Sequence, residues 1–211
     1  MQRGWWVWCA CWCAALAHAG AQREEPLVDA ARTALRAAVV VSGPPPSVVH
    51  PDAATEQSYA LWLARAETKL AQQLHKRSPS SAPAVAHELA NADLRREFLQ
   101  TVWYESQRAG LPVDLVMGLI QVESGFRKFA ISSAGARGYT QVMPFWTRQL
   151  SDGDASVLFQ AQANLRFGCV ILRHYLNVED GNLHMALGRY NGSRGQMQYP
   201  NAVLAAQRQW Q

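Results

Sequence analysis

The residue in this sequence whose type and position best suit chemistry is Glu123, at the end of an apolar helical segment. Residues 112–125 read PVDLVMGLIQVESG, and counting back from Glu123 by three, four and seven gives Ile120, Leu119 and Val116. Residues at these spacings share one face of a helix. A carboxyl group is therefore predicted on an apolar face, where burial disfavours its charged form and raises its pKa.

The helix pattern alone leaves two interpretations of Glu123 open. A protonated carboxyl group beside a loop can act as a general acid, whereas a glutamate at the rim of a core can extend to water or pair with an arginine. Most glycosidases use two carboxylates, but Asp114 lies at the other end of this helix and the Asp-Gly-Asp at 152–154 is typical of a turn. If the segment is catalytic, the sequence predicts that a single acid does the work.

Three further segments of the chain accompany this helix in a fixed order. The loop at 130–144 reads AISSAGARGYTQVMP, a helical segment carries Asn, Gly, Tyr and Leu between 164 and 176, and the region 189–200 contains RYNGSRG and then YP. With the ESGF that begins at Glu123, they resemble the soluble lytic transglycosylase family over about residues 95–205. Four ordered elements with matching spacing are far more specific than a lone short motif.

The resemblance implies an all-α, lysozyme-like helical domain with a peptidoglycan-binding groove and its catalytic acid at Glu123. The family's supporting and substrate-binding positions map to residues of the loop and of the RYNG segment. These are Ser132, which supports the carboxylate; Gln141 and Met143, which line the groove; and Tyr190 near the acid, with Asn191 beside it.

The resemblance also implies a reaction that needs no water. Glu123 protonates the glycosidic oxygen between N-acetylmuramic acid and N-acetylglucosamine, and then takes a proton from the muramyl C6 hydroxyl, which closes on C1 as a 1,6-anhydro end. Two alternatives stay open: a lysozyme-type hydrolase on the same fold, and a non-catalytic glycan-binding component of an envelope-spanning machine.

The chain departs from the family pattern at four positions that bear on the sugar subsites. Tyr139 and Thr140 stand where leucine and methionine are usual, and Arg189 and Ser193 stand where alanine is usual. The acid, its serine and the tyrosine are retained.

Composition limits the partners and cofactors of the chain. The net charge is only +4, and no Lys/Arg run that would favour nucleic acid occurs. The resemblance implies peptidoglycan glycan strands as the partner, and we expect a monomer. No His-Glu-x-x-His occurs, and we expect neither a metal nor a cofactor. Cys169 lies on an apolar helix face and is predicted to be a core residue.

Three regions follow from composition and breaks in helical pattern. Residues 1–21 have a positive start, an apolar stretch and two small-x-small ends, as in a cleaved signal peptide, so we expect a periplasmic or secreted protein. Residues 22–85 are predicted to be a helical extension with linkers, because Pro and Ser cluster at 42–46 and 78–83. Residues 86–211 form the predicted catalytic domain, without convincing strand alternation.

Overall fold

The computed structural model describes residues 22–40, 52–77 and 87–211, and within these ranges the regular structure is helical. Strand-type backbone pairing in these ranges is limited to two isolated antiparallel bridges, which join Arg137 to Ile131 and to Val142. The predicted all-α class is confirmed. In chain order the helices are α1 (Asp29–Val40), α2 (Ala53–Arg77), α3 (Ala92–Arg108), α4 (Val113–Glu123), α5 (Phe145–Leu150), α6 (Ala161–Val178), α7 (Leu183–Asn191) and α8 (Gln198–Gln207), with 3₁₀ turns at Glu88–Ala90 and Ala155–Phe159.

Several predicted features lie outside the described residues. They are the signal peptide at 1–21, the helix break at 42–46, and the linker at 78–83 with the domain boundary that follows it. Within the ranges that are described, no helix has the length and hydropathy needed to cross a membrane.

A short helix that the sequence analysis did not predict follows the loop at 130–144. Pro144 precedes α5, in which Phe145, Trp146 and Leu150 are buried. Six residues are too few to show a helical period, so packing rather than pattern explains this helix. The loop proper therefore runs from Ser124 to Pro144.

The N-terminal helices join the core of the rest of the chain. On α2, Trp62 and Tyr59 surround Trp103 of α3, with ring centroids 5.1 and 5.3 Å from its own. Leu35 and Val39 of α1 are buried in the same apolar cluster, and α1 packs against α5 and α6. The extension therefore shares one hydrophobic core with α3 to α8.

Helices α4 and α8 approach each other closely at Gly118. A methyl group added to this glycine would lie 2.7 Å from the backbone nitrogen of Gln207 and 2.9 Å from the carbonyl oxygen of Val203. Only a residue without a side chain allows the two backbones to come this near. The contact sets the distance between Glu123, at the end of α4, and the residues at the start of α8.

We expect Gly118→Ala to destabilise the protein even though alanine favours helices. The methyl group meets backbone atoms of α8, which cannot rotate away, and overpacking of this kind costs about 1–3 kcal/mol. For a chain of this size the melting temperature should fall by roughly 2–10 °C, measured by circular dichroism. An unchanged or higher melting temperature would show that α8 moves freely relative to α4.

Candidate active site around Glu123

Glu123 is the last residue of α4 and is 3% exposed. The helix ends there because Gly125 and Phe126 follow with φ angles of 59° and 68°. This left-handed conformation is unfavourable for phenylalanine. Buried ring contacts hold Phe126 in place, since its centroid lies 5.5 Å from that of Trp210 and 6.3 Å from that of Phe98.

The surroundings of Glu123 favour its neutral form. Burial raises the pKa of its carboxyl group to about 8 from an ordinary 4.5, and a hydrogen bond from Tyr199 opposes part of this rise. The negative end of the α4 dipole also disfavours a carboxylate at this position. Glu123 is therefore predominantly protonated at neutral pH, as the apolar helix face predicted.

One oxygen of the Glu123 carboxyl group is occupied and the other is not. The Tyr199 hydroxyl, at the start of α8, donates a hydrogen bond to Oε1. Oε2 is buried and has no hydrogen-bond partner among the described residues. Such unpaired buried polar atoms are uncommon and often mark functional positions. Sequence analysis missed the role of Tyr199, although the Tyr-Pro pair at 199–200 belonged to the motif that it identified.

Tyr190 connects α7 to the loop beside the acid. Its hydroxyl donates to the carbonyl oxygen of Thr140 over 2.7 Å, and its side chain is fully buried. Burial, followed by the nearby Glu123 carboxyl, raises the pKa of Tyr190 well above its ordinary value. The structure therefore places Tyr190 near Glu123, but its hydrogen bond goes to the loop.

Ser132 and Gln141 organise the loop through their side chains. Ser132 Oγ accepts a hydrogen bond from the backbone nitrogen of Ala136 at 3.1 Å, and it makes no hydrogen bond to Glu123. Gln141 is buried with φ 51°, and its amide donates to the carbonyl oxygens of Ala130 and Gly138 at 3.1 and 2.8 Å. These hydrogen bonds join parts of the loop to one another.

The other two predicted site residues are Met143 and Asn191. Met143 is partly buried, and its backbone nitrogen donates to Gln22 Oε1 at 3.3 Å. Asn191 is buried, and its Nδ2 donates to Ser193 Oγ at 3.1 Å. Asn191 Oδ1, like Glu123 Oε2, is a buried acceptor for which the described part of the chain supplies no donor.

The departures from the family pattern contact other parts of this chain. Tyr139 donates to Glu88, which precedes α3. Arg189 makes ion pairs of 2.7 Å with both Glu25 and Glu179. Two of the four departures therefore bind residues that precede α3. Tyr139 binds Glu88, within the predicted catalytic domain, and Arg189 binds Glu25, in the N-terminal extension.

The other two departures act within the domain. Thr140 Oγ1 donates to Asn164 at 2.9 Å, and Ser193 accepts the hydrogen bond from Asn191. Thr140 also packs against Gly168, where an added methyl group would lie 2.5 Å from its hydroxyl oxygen. These two positions fix the loop on α6 and the turn after α7.

Two other carboxylates, those of Asp114 and Glu105, contact residues other than Glu123. Asp114 accepts from Gln207 and Gln211, and Glu105 is paired with Arg166 at 2.8 Å. Within residues 22–40, 52–77 and 87–211 no group of three His, Cys, Asp or Glu side chains could hold a metal ion. Cys169 is buried as predicted, and burial raises the pKa of its thiol.

Two cavities lie on the side of the molecule that carries α1. One of about 590 Å³ is lined by residues of α1, α3 and α6, and one of about 700 Å³ lies between α1 and the segment 151–167. Their linings include none of the predicted site residues. Neither of these two cavities therefore corresponds to the predicted groove around Glu123.

The chain is similar to known proteins over the region that contains Glu123. A family model described as the transglycosylase SLT domain matches residues 100–209. The chain is similar to membrane-bound lytic murein transglycosylase C of Haemophilus influenzae, with 34% identity over 79 residues, which are 37% of this chain and 21% of the relative. The corresponding protein of Actinobacillus pleuropneumoniae is 32% identical over 85 residues, 36% of this chain and 23% of the relative. The alignments thus span about a fifth of the length of these curated relatives.

The raised pKa of Glu123 predicts how Glu123→Gln changes stability with pH. Between pH 4.5 and 8 the unfolded wild type loses the proton that the native state keeps, so its stability falls relative to the variant. We expect equal stability near pH 4 and a more stable variant above pH 8, by a few kcal/mol at about 1.4 kcal/mol for each pKa unit. Urea unfolding at both pH values measures this difference, and an equal or less stable variant at pH 9 would contradict it.

Proposed function

The chain belongs to the transglycosylase SLT domain family, and from that premise we propose that it is a peptidoglycan lytic transglycosylase, a lyase. It would cleave the β-1,4 bond between N-acetylmuramic acid and N-acetylglucosamine and leave 1,6-anhydromuramyl ends. The observation that carries the proposal is the buried, predominantly protonated carboxyl group of Glu123 with one free oxygen. A general acid for this reaction has to hold its proton at neutral pH.

The hydrogen bond from Tyr199 indicates which oxygen carries the proton. Tyr199 donates to Oε1 of Glu123, so Oε1 is the acceptor and the proton resides on Oε2. Oε2 has no competing partner in the described ranges. In the proposed reaction the Oε2–H group donates to the glycosidic oxygen, and the bond from that oxygen to C1 of the muramyl residue breaks.

The same carboxyl group completes the reaction. After the first step Glu123 is a carboxylate in an apolar setting, which makes it a stronger base than an exposed one. It takes the proton of the muramyl C6 hydroxyl, whose oxygen forms a new bond to C1. The Tyr199 hydrogen bond stabilises the anion between the two steps, and the acid regains its proton at the end.

The supporting residues receive proposed roles that fit their contacts. Asn191 Oδ1 is a buried acceptor suited to a sugar N–H or O–H group. Met143 would contact the sugar rings. Tyr190 binds the loop to α7, and Gln141 binds two parts of the loop to each other. We propose Ser132 as the residue that supports the Glu123 carboxyl group, the role that the family resemblance implies.

The setting of the enzyme is part of the proposal. We propose residues 1–21 as a cleaved signal peptide, residues 22–85 as an extension that braces the domain, and residues 86–211 as the catalytic domain of a monomer. Similarity to murein transglycosylases supports a location in the cell envelope, which we propose to be periplasmic or secreted.

A hydrolase is the second candidate, because only the identity of the nucleophile separates it from a transglycosylase. Inverting and retaining glycosidases need a second carboxylate within about 10 Å of the acid. Asp114, the other carboxylate of α4, lies at the opposite end of that helix from Glu123 and accepts hydrogen bonds from Gln207 and Gln211. This observation favours the internal C6 hydroxyl over water.

The decisive test is product analysis with wild type and with Glu123→Gln. Wild type should release soluble muropeptides from peptidoglycan that are lighter by one water than hydrolysed products. Glu123→Gln should lose activity by about a hundred- to ten-thousand-fold or more, since its amide can neither give nor take the proton. Mass spectrometry of the digest, with circular dichroism to confirm folding, measures both.

Tyr199→Phe provides an intermediate case in the same assay. It removes the hydrogen bond to Oε1 but leaves the acid, so activity should fall less than in Glu123→Gln.

Products heavier by one water would establish hydrolysis instead. Near-normal release by folded Glu123→Gln would refute the proposed role of this residue.

A further inference from the structure

The loop after Glu123 carries apolar side chains on its outer surface. Phe129 is 69% exposed and Ile131 is 64% exposed, whereas Ala130 between them is less exposed. Ala130 is held from within, because its carbonyl oxygen accepts hydrogen bonds from Gly138 N at 2.9 Å and from Gln141 Nε2 at 3.1 Å. We call Phe129, Ile131 and the adjacent Phe159 the Phe129 patch.

The rings of the Phe129 patch are arranged with cations over them. The centroids of Phe129 and Phe159 lie 5.9 Å apart. Lys128 Nζ lies 5.4 Å from the centroid of Phe129, and the Arg137 guanidinium lies 5.6 Å from that of Phe159. These contacts fix both rings while leaving most of Phe129 in water.

Positive side chains outnumber carboxylates around the patch: Arg127, Lys128 and Arg137 lie beside it, with Glu88 near Lys128 and Asp154 near Arg137. Arg127 is exposed, and its Nε donates a hydrogen bond to the carbonyl oxygen of Ser124 at 2.9 Å. Lys128 is 3.7 Å from Glu88, which it shares with Tyr139. A ligand that fits this surface therefore has flat apolar faces and negative groups.

The patch is part of the same loop as the candidate active site. The loop leaves Glu123, passes through Phe129 and Ile131, and returns to the groove position Met143. Backbone bridges from Arg137 to Ile131 and to Val142 join the two ends of this part of the loop. Adjacent exposed apolar residues with a basic rim on such a loop are typical of a binding surface.

We propose that the Phe129 patch binds a stretch of the peptidoglycan strand beyond the sugars that are cleaved. The apolar faces of sugar rings would stack on Phe129 and Ile131, and carboxylates of the peptide stems would pair with Arg127, Lys128 and Arg137. The inference rests on the proposed function and adds a second contact region for the same substrate. It explains why the loop keeps a large aromatic ring in water.

The test measures binding without cleavage. Full-length Glu123→Gln protein is mixed with intact peptidoglycan sacculi, and the fraction of protein that binds is measured. The same measurement is made on two double variants, one that also carries Phe129→Ser and one that carries Leu61→Ser as a matched control. Leu61 is 59% exposed on α2, away from the loop. Phe129→Ser should weaken binding about two- to tenfold, the range expected for loss of one stacked ring, and Leu61→Ser should leave it unchanged.

Two further arms separate the contributions. Ile131→Ser tests the patch at a second position, with thermal unfolding to confirm that each variant is folded. Arg127→Gln should weaken binding to intact sacculi but not to glycan strands freed of peptides, because only the former carry stem carboxylates. Equal loss on both substrates would remove the carboxylate part of the proposal.

The outcomes distinguish this inference from the proposed function. If the Glu123→Gln parent does not bind sacculi at all, the proposed function itself fails. If the parent binds and Phe129→Ser binds equally well, the patch has no role in substrate binding. If Phe129→Ser instead loses binding to anionic lipid vesicles while it retains sacculi, the patch is a membrane surface and the inference is overturned.

Discussion

A neutral carboxyl group inside an apolar helix face is the constraint on which the rest of the site depends. Water would stabilise the ionised form of Glu123, and the packing of α4, α7 and α8 keeps water from doing so. Burial alone would leave the group without polar contact, and the Tyr199 hydroxyl supplies one. The balance raises the pKa to about 8, where a single group can both give and take a proton.

The surrounding structure keeps Glu123 buried and within hydrogen-bonding distance of Tyr199. Gly118 brings α8 against α4 closely enough for Tyr199 to reach the acid. Phe126 and Gln141 adopt backbone conformations that are unfavourable for their residue types, and buried rings and two amide hydrogen bonds compensate. Segments before α3 contribute through the Glu25–Arg189 ion pair, so the extension stabilises the same elements that carry the site.

The sequence predicted those features that depend on local pattern. The apolar spacing before Glu123 indicated both the helix and the burial of its carboxyl group, and the resemblance indicated the family. Features that depend on packing were not predicted: α5 is too short to show a period, and the contact of Tyr199 with the acid joins residues 76 positions apart. The hydrogen bonds of Ser132 and Gln141 within the loop were not predicted either, because motif matching assigns residues to positions without showing their partners.

The most direct test of this account is a titration of the Glu123 carboxyl group itself. Protein labelled with ¹³C at glutamate side chains, with Glu123→Gln used to assign the resonance, would be followed by NMR from pH 4 to pH 10. The account predicts a carboxyl signal that titrates near pH 8, well separated from the exposed glutamates. A Glu123 signal that titrates near 4.5 would show that the group is ionised at neutral pH, and it would contradict the proposed role of Glu123 as the general acid.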